Sequence, residues 1–189
     1  MISKKVSLIN ASLLLLGANP INSLDEETAE AVAAQSFYER SYQALLGMFP
    51  WKFAQKYKQL ALVANEQPID PRFQYVFRLP QDNLWVQHTI PNRYEFKIIG
   101  NTLHTTVKEI SIKYTWRVEE ELMPILFEQT FMYYLASQMC ITITEDTNKA
   151  AVLANLFFEH LKRAKAVDSQ QEPQDGFQDL PLDTIRYGH

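Results

Sequence analysis

The feature that most constrains this chain is its hydrophobic period, which changes twice. Before Trp51 and after Arg117 apolar residues recur at helical spacing, whereas between them apolar and polar residues alternate. A helix buries one stripe and a strand buries every second residue, so neither pattern can serve the other element. The order helix, strand, helix therefore predicts an α+β fold. The expected architecture is a helical bundle of about four helices with an inserted antiparallel β domain and an extended C-terminal tail. Residues 1–50 and 118–167 form the expected helical body, 51–117 the β domain, and 168–189 an acidic tail.

Punctuation sharpens the helical parts. Val6, Ile9, Leu13 and Leu16 share one face of a first helix; Ser7, Asn10 and Ser12 interrupt what otherwise resembles a signal peptide. Gly17-Ala-Asn-Pro20 and Gly47-Met-Phe-Pro50 both read as a terminating glycine followed by a proline that cannot continue the helix. Ser23 with Glu26 reads as a capping box opening a second helix, with Asp25, Glu26 and Glu27 in its first turns. The first two helices are expected to form an antiparallel pair. After Arg117, Glu119, Glu120 and Glu121 are expected to start a third helix, apolar on most sides, which breaks at Thr144 to Thr147. A last helix carries Leu153, Phe157, Leu161 and Ala164 on one face, and Lys162, Arg163 and Lys165 are expected to close it.

In the middle, Tyr94, Phe96 and Ile98 alternate with Glu95 and Lys97, and Gly100-Asn101 suits a type II′ hairpin turn. That register sets Leu103 opposite Ile98 and Val107 opposite Tyr94. Strands are also expected at Tyr75–Leu79, Leu84–His88 and Ile110–Trp116, giving an antiparallel meander with one covered face.

Composition argues against several kinds of chemistry. Five glycines leave little material for a phosphate-cradling loop, and no Walker, dinucleotide or nucleophile-elbow motif occurs. His88, His104, His160 and His189 are scattered, and the lone Cys140 can form neither an internal disulfide nor a zinc set. His104 reads as an exposed strand residue and Cys140 as a buried, inert thiol. Neither catalytic residues nor a cofactor or metal site is expected. No apolar run approaches the length of a membrane span. The net charge of −4 arises beyond Val167, since residues 1–167 hold 17 basic and 17 acidic residues. Residues 51–117 are the positive part, with ten basic and five acidic residues, read as a solvated face. Among the acidic residues of the tail, Phe177, Leu180, Leu182, Ile185 and Tyr187 recur at intervals, the pattern of a segment that orders on a partner.

One run of motifs has a familiar order. Asn10-Ala11, Leu14 to Gly17 and Ile21-Asn-Ser23-Leu24 are followed by Met48-Phe-Pro-Trp51-Lys-Phe53-Ala54. Then come Phe73-Gln-Tyr75-Val-Phe77-Arg-Leu79-Pro80-Gln-Asp82-Asn-Leu84-Trp-Val86, a hairpin on Tyr94 and Gly100, and Ile112-Lys-Tyr114. Each motif alone is weak, but their order and spacing, from about Ile9 to Ala164, resemble the tail tubular protein A family of short-tailed phages. The resemblance implies a non-catalytic structural subunit, the head-to-tail adaptor of the virion tail, assembled in the host cytoplasm. It implies a homo-oligomeric ring of twelve that docks beneath the portal protein and receives the nozzle, tail tubular protein B. DNA passes through the lumen during genome ejection without sequence recognition. Within the family reading, Trp51, Phe53, Ala54, Tyr75, Leu79, Pro80 and Asp82 are motif core residues. Two other classes compete: a single-stranded nucleic-acid-binding module using Tyr57, Tyr75, Phe77 and Trp85, and a carbohydrate-active virion enzyme.

Overall fold

The computed structural model of the protein describes residues 3–64 and 66–170. Four α-helices and two antiparallel sheets make up an α+β fold, with the strands inserted between the second and third helices. Helix α1 spans Lys4–Leu16, α2 Ala29–Gly47, α3 Ile125–Thr144 and α4 Thr147–Ser169. The strands are β1 (Gln55–Gln59), β2 (Ala61–Leu62), β3 (Tyr75–Arg78), β4 (Asn83–Ile90), β5 (Phe96–Ile99), β6 (Thr102–Thr105) and β7 (Ser111–Trp116). The expected tail residues Phe177, Leu180, Leu182, Ile185 and Tyr187 lie outside the described residues.

Helix α3 is the axis of the helical body. Helices α1, α2 and α4 all pack on it, which is why its apolar residues surround it instead of forming one stripe. Phe127, Phe131, Leu135, Ala136 and Met139 are buried along it, and each large side chain so covered contributes about 1.5–3 kcal/mol. Cys140 is buried among them, with its thiol 3.3 Å from Thr144 Oγ1. Helices α1 and α2 scarcely touch each other. Each buries its stripe on α3, so the expected pairing of the two is replaced by two separate dockings.

The helix ends differ instructively from the sequence expectation. Gly17 has φ +72, and the Gly17 and Ala18 amides donate to Leu14 O and Leu13 O, both at 3.0 Å, completing a Schellman motif. Lys149 Nζ donates to Leu16 O at 2.7 Å and ties the same terminus to α4. Gly47, by contrast, is the last residue of α2, and Met48 after it keeps right-handed helical dihedrals, so this glycine supplies no left-handed stop. The capping box half forms: Glu26 Oε1 accepts from the Ser23 amide at 3.1 Å, but on a turn. Helix α2 starts later, where Thr28 Oγ1 accepts from Ala31 N, and Asp25, Glu26 and Glu27 fall outside it. Glu120 and Glu121 likewise sit in a 3-10 turn ahead of α3, because Pro124 is the residue that caps that helix. Helix α4 runs two residues past Val167, so Lys162, Arg163 and Lys165 are not in its last turn.

The strands do not form a meander. They divide into a sheet ordered β1-β7-β4 and another ordered β2-β3-β6-β5. Phe77 and Leu103 of the second sheet share one apolar core with Val86, Ile112 and Tyr114 of the first. Strand β7 is central and covered on both faces, with Lys113 and Thr115 buried as well as Ile112 and Tyr114. A single alternating face was therefore too simple. The β5–β6 hairpin has the expected register, Ile98 opposite Leu103, across Gly100 at φ +57. Its ladder ends at Phe96 and Thr105, so Tyr94 and Val107 lie beyond it, and Ile98 on the edge strand is exposed.

Candidate functional site

The motif residues other than Tyr75 converge on the join between the helical core and the β core. Proline after Phe49 stops the chain from continuing α2, and Trp51 turns inward. Its indole is buried, and Nε1 donates to Leu45 O at 2.9 Å, so its one polar atom is satisfied. A 3-10 turn, Lys52–Ala54, then places Phe53 4.8 Å and Trp51 5.0 Å from the Phe127 ring centroid, both edge-on. Ala54 is buried in the same core.

Immediately afterwards β1 enters the sheet, and the second part of the motif meets it there. Lys56 Nζ lies 2.8 Å from Asp82 Oδ2 and 3.3 Å from the centroid of Trp116, a ring packed against both cores. Tyr114 OH donates to Asp82 Oδ1 at 3.1 Å. Partial burial pushes the Asp82 carboxyl up, but hydrogen bonding from Lys56 and Tyr114 outweighs it and holds the group below its ordinary range. Burial, then the Asp82 charge, pushes the Tyr114 phenol up to about 12. Leu79 and Pro80 are buried beside this cluster, while Tyr75 is half-buried against the β core, away from Trp51. The N-terminal signature is also joined: Asn10 exchanges two hydrogen bonds of 2.8 Å with the Ile21 backbone, pinning the α1–α2 connection.

On the way back to the helices a hub appears that sequence reasoning missed. Arg117 donates through Nε and Nη2 to the two Glu39 carboxylate oxygens at 3.1 and 3.0 Å, and through Nη2 to Glu120 Oε1 at 2.7 Å. Its Nη1 donates to Val118 O, and its guanidinium stacks 4.4 Å from the Tyr42 centroid. Tyr38 OH donates to Glu120, and Tyr42 OH to Val118 O at 2.8 Å. Burial pushes both carboxyls up, yet the hydrogen bonds from Arg117 dominate and hold each below its ordinary value. Burial pushes both phenols well above theirs. These two glutamates flank a cation that neutralises them, so they are not poised as an acid–base pair. The only sequence signal was a cation directly after a strand and three residues before Glu120.

Several sequence-predicted placements change. His104 is buried, not exposed, because β6 lies between β3 and β5. Thr102 Oγ1 donates to Ile99 O, so His104 Nε2 donates to Thr102 Oγ1, 3.0 Å away, and Nδ1 has no partner among the described residues. Phe77 is buried, which removes it from any stacking surface, whereas Tyr57 is 62% exposed and Trp85 46%. Asp70, in its turn, is held well below the carboxylate range by hydrogen bonds from Arg72. Among the described residues no cluster of His, Cys, Asp and Glu could hold a metal ion, and no helix is long and apolar enough to cross a membrane. A groove of about 170 Å³ opens at the end of α4, floored by Trp51 and Phe127.

No model of a known protein family matches this chain, and no curated protein sequence matches it.

Proposed function

We propose that this chain is a structural virion subunit, the head-to-tail adaptor that forms a ring between portal and tail nozzle and leaves a lumen for DNA. The observation that carries the reading is the use to which the motif residues are put. Trp51, Phe53, Ala54, Leu79, Pro80 and Asp82 lie along the join between a helical body and a β body. A two-bodied subunit with a packed join suits a part that must hold different neighbours at its two ends.

A closed ring of identical subunits needs two different, complementary patches on each. Exposed apolar side chains are carried on different helices: Leu14 on α1 and Val32 on α2, against Ile141, Val152 and Phe158 on α3 and α4. In this reading the helices supply the ring contacts and the β body reaches toward the tail. No bond is made or broken by the protein; its work is positional. The test is the solution mass of the purified chain, alone and mixed with its phage's portal protein, followed by electron microscopy. A ring, free or seated on the portal, is expected. A monomer that ignores the portal would sink the proposal.

A second reading, single-stranded nucleic-acid binding, draws on Tyr57 and Trp85. The register puts them on the same outer face of the β1-β7-β4 sheet, opposite Lys113 and Thr115. Those three strands contain three lysines and no carboxylate. Affinity for oligonucleotides that falls steeply with salt, and falls again in Tyr57→Ala and Trp85→Ala, would favour it over the adaptor.

A further inference from the structure

The groove at the end of α4 is a feature that the adaptor reading leaves unused. Trp51, Phe53 and Phe127 form its floor and inner wall, and Ile125 and Val167 stand exposed at its rim. Its volume, about 170 Å³, is on the scale of one large apolar side chain. Asp168 closes one side, its carboxylate accepting from the Lys52 amide at 2.8 Å. The wall and the chain's exit coincide: α4 ends at Ser169, one residue past that aspartate.

We propose that the groove is the seat of the segment that follows α4 in this same chain, and that Phe177 is the side chain it receives. Three observations point there. First, residues 171–176, Gln-Glu-Pro-Gln-Asp-Gly, hold no large apolar side chain but contain a proline and a glycine, the residues that reverse a chain. Phe177 is the first large apolar residue after α4. Second, the seven steps from Gln170 to Phe177 span up to about 24 Å, ample for a return to a wall one turn away. Third, charge is complementary. Residues 171–189 carry four acids and one arginine, and although the wall residue Asp168 is an acid, cations stand near it on α4. Lys165 Nζ lies 5.3 Å over the Phe49 ring, and Lys162 and Arg163 are exposed on the same end of α4.

A six-residue connection holds Phe177 at an effective concentration near the millimolar range, so capture by its own groove outcompetes a second chain in dilute solution. The inference does not rest on the adaptor reading, since it concerns the isolated chain.

Disulfide trapping in the full chain tests it. Phe177→Cys is combined with Ile125→Cys at the groove rim or, as a control, with Val32→Cys. Val32 is equally exposed but lies about 20 Å along α2 from Leu45, the residue that holds Trp51. Cys140 is buried and does not compete. An intramolecular bridge to position 125 should form about ten-fold faster than one to position 32. In a second measurement, Phe177→Ala should raise the binding of an apolar fluorescent dye several-fold by uncovering the groove. Equal bridging rates at the two positions, bridges only between chains, or unchanged dye binding would each overturn the proposal.

Discussion

Replacing Arg117 with Met tests how the helical body is fastened to the sheet that leads into it. The substitution keeps the stem of the side chain and removes its charge and all its donors. Four losses follow, of unequal size, and the one at Val118 O is small because the Tyr42 hydroxyl still donates to it. Glu39, whose side chain is 44% exposed and keeps a hydrogen bond from Gln43, can rehydrate, so its loss is about 0–1 kcal/mol. Glu120 is only 15% exposed and keeps little beyond the Tyr38 hydroxyl. Stranding a fully buried charge costs about 3–5 kcal/mol, and its residual access to water reduces that to about 2. Loss of the stacking on Tyr42 adds about 0.5–1 kcal/mol. The expected total is about 3 kcal/mol at pH 7, read by urea unfolding with tryptophan fluorescence and circular dichroism.

The pH dependence makes the reasoning specific. Both glutamates have folded pKa values below the ordinary 4.5. Their pairing therefore stabilises fully above pH 4.5 and is lost as pH falls through the lower folded values. The gap between wild type and Arg117→Met should narrow below pH 4.5. Adding Glu120→Gln to Arg117→Met should restore about half of the loss, because the stranded charge is gone. An equal gap at pH 7 and pH 3.5, together with no rescue, would refute this account and reduce Arg117 to a packing residue.

Two further outcomes follow from backbone and burial. Gly17→Ala should cost about 1 kcal/mol in thermal or urea unfolding because its φ is +72, whereas Gly47→Ala, with open space at its Cβ and helical dihedrals, should be neutral or stabilising by about 0.5 kcal/mol. His104→Leu removes a buried nitrogen that lacks a partner, so unfolding should shift by less than about 1 kcal/mol despite the buried position, unlike a truncation to alanine.

The elements themselves were legible in the sequence wherever one local pattern decided them. The helical period of α1 and α4, the breaker at Thr144 to Thr147 and the Gly100 turn act within a few residues, and the structure has them there. The apolar excess around α3 announced a covered helix for the same reason. What the sequence could not carry was competition between distant partners. Ser23 and Glu26 satisfy the local rule for a cap, but Pro20 and the anchoring of Ile21 by Asn10 hold that stretch in a turn, so α2 waits for Thr28. Alternation identified strands without saying which would be neighbours: the core shared by two sheets buries one face of β7, side chains of β1 and β4 cover Lys113 and Thr115 on the other, and His104 is buried within the second sheet. Arg117 looked like any charged residue at a strand end, because its partners Glu39 and Glu120 come together only when α2 and the turn before α3 are packed. Local patterns set the elements; the long-range pairing of strands and charges set the join, because its contacts gain their strength only once water has been excluded.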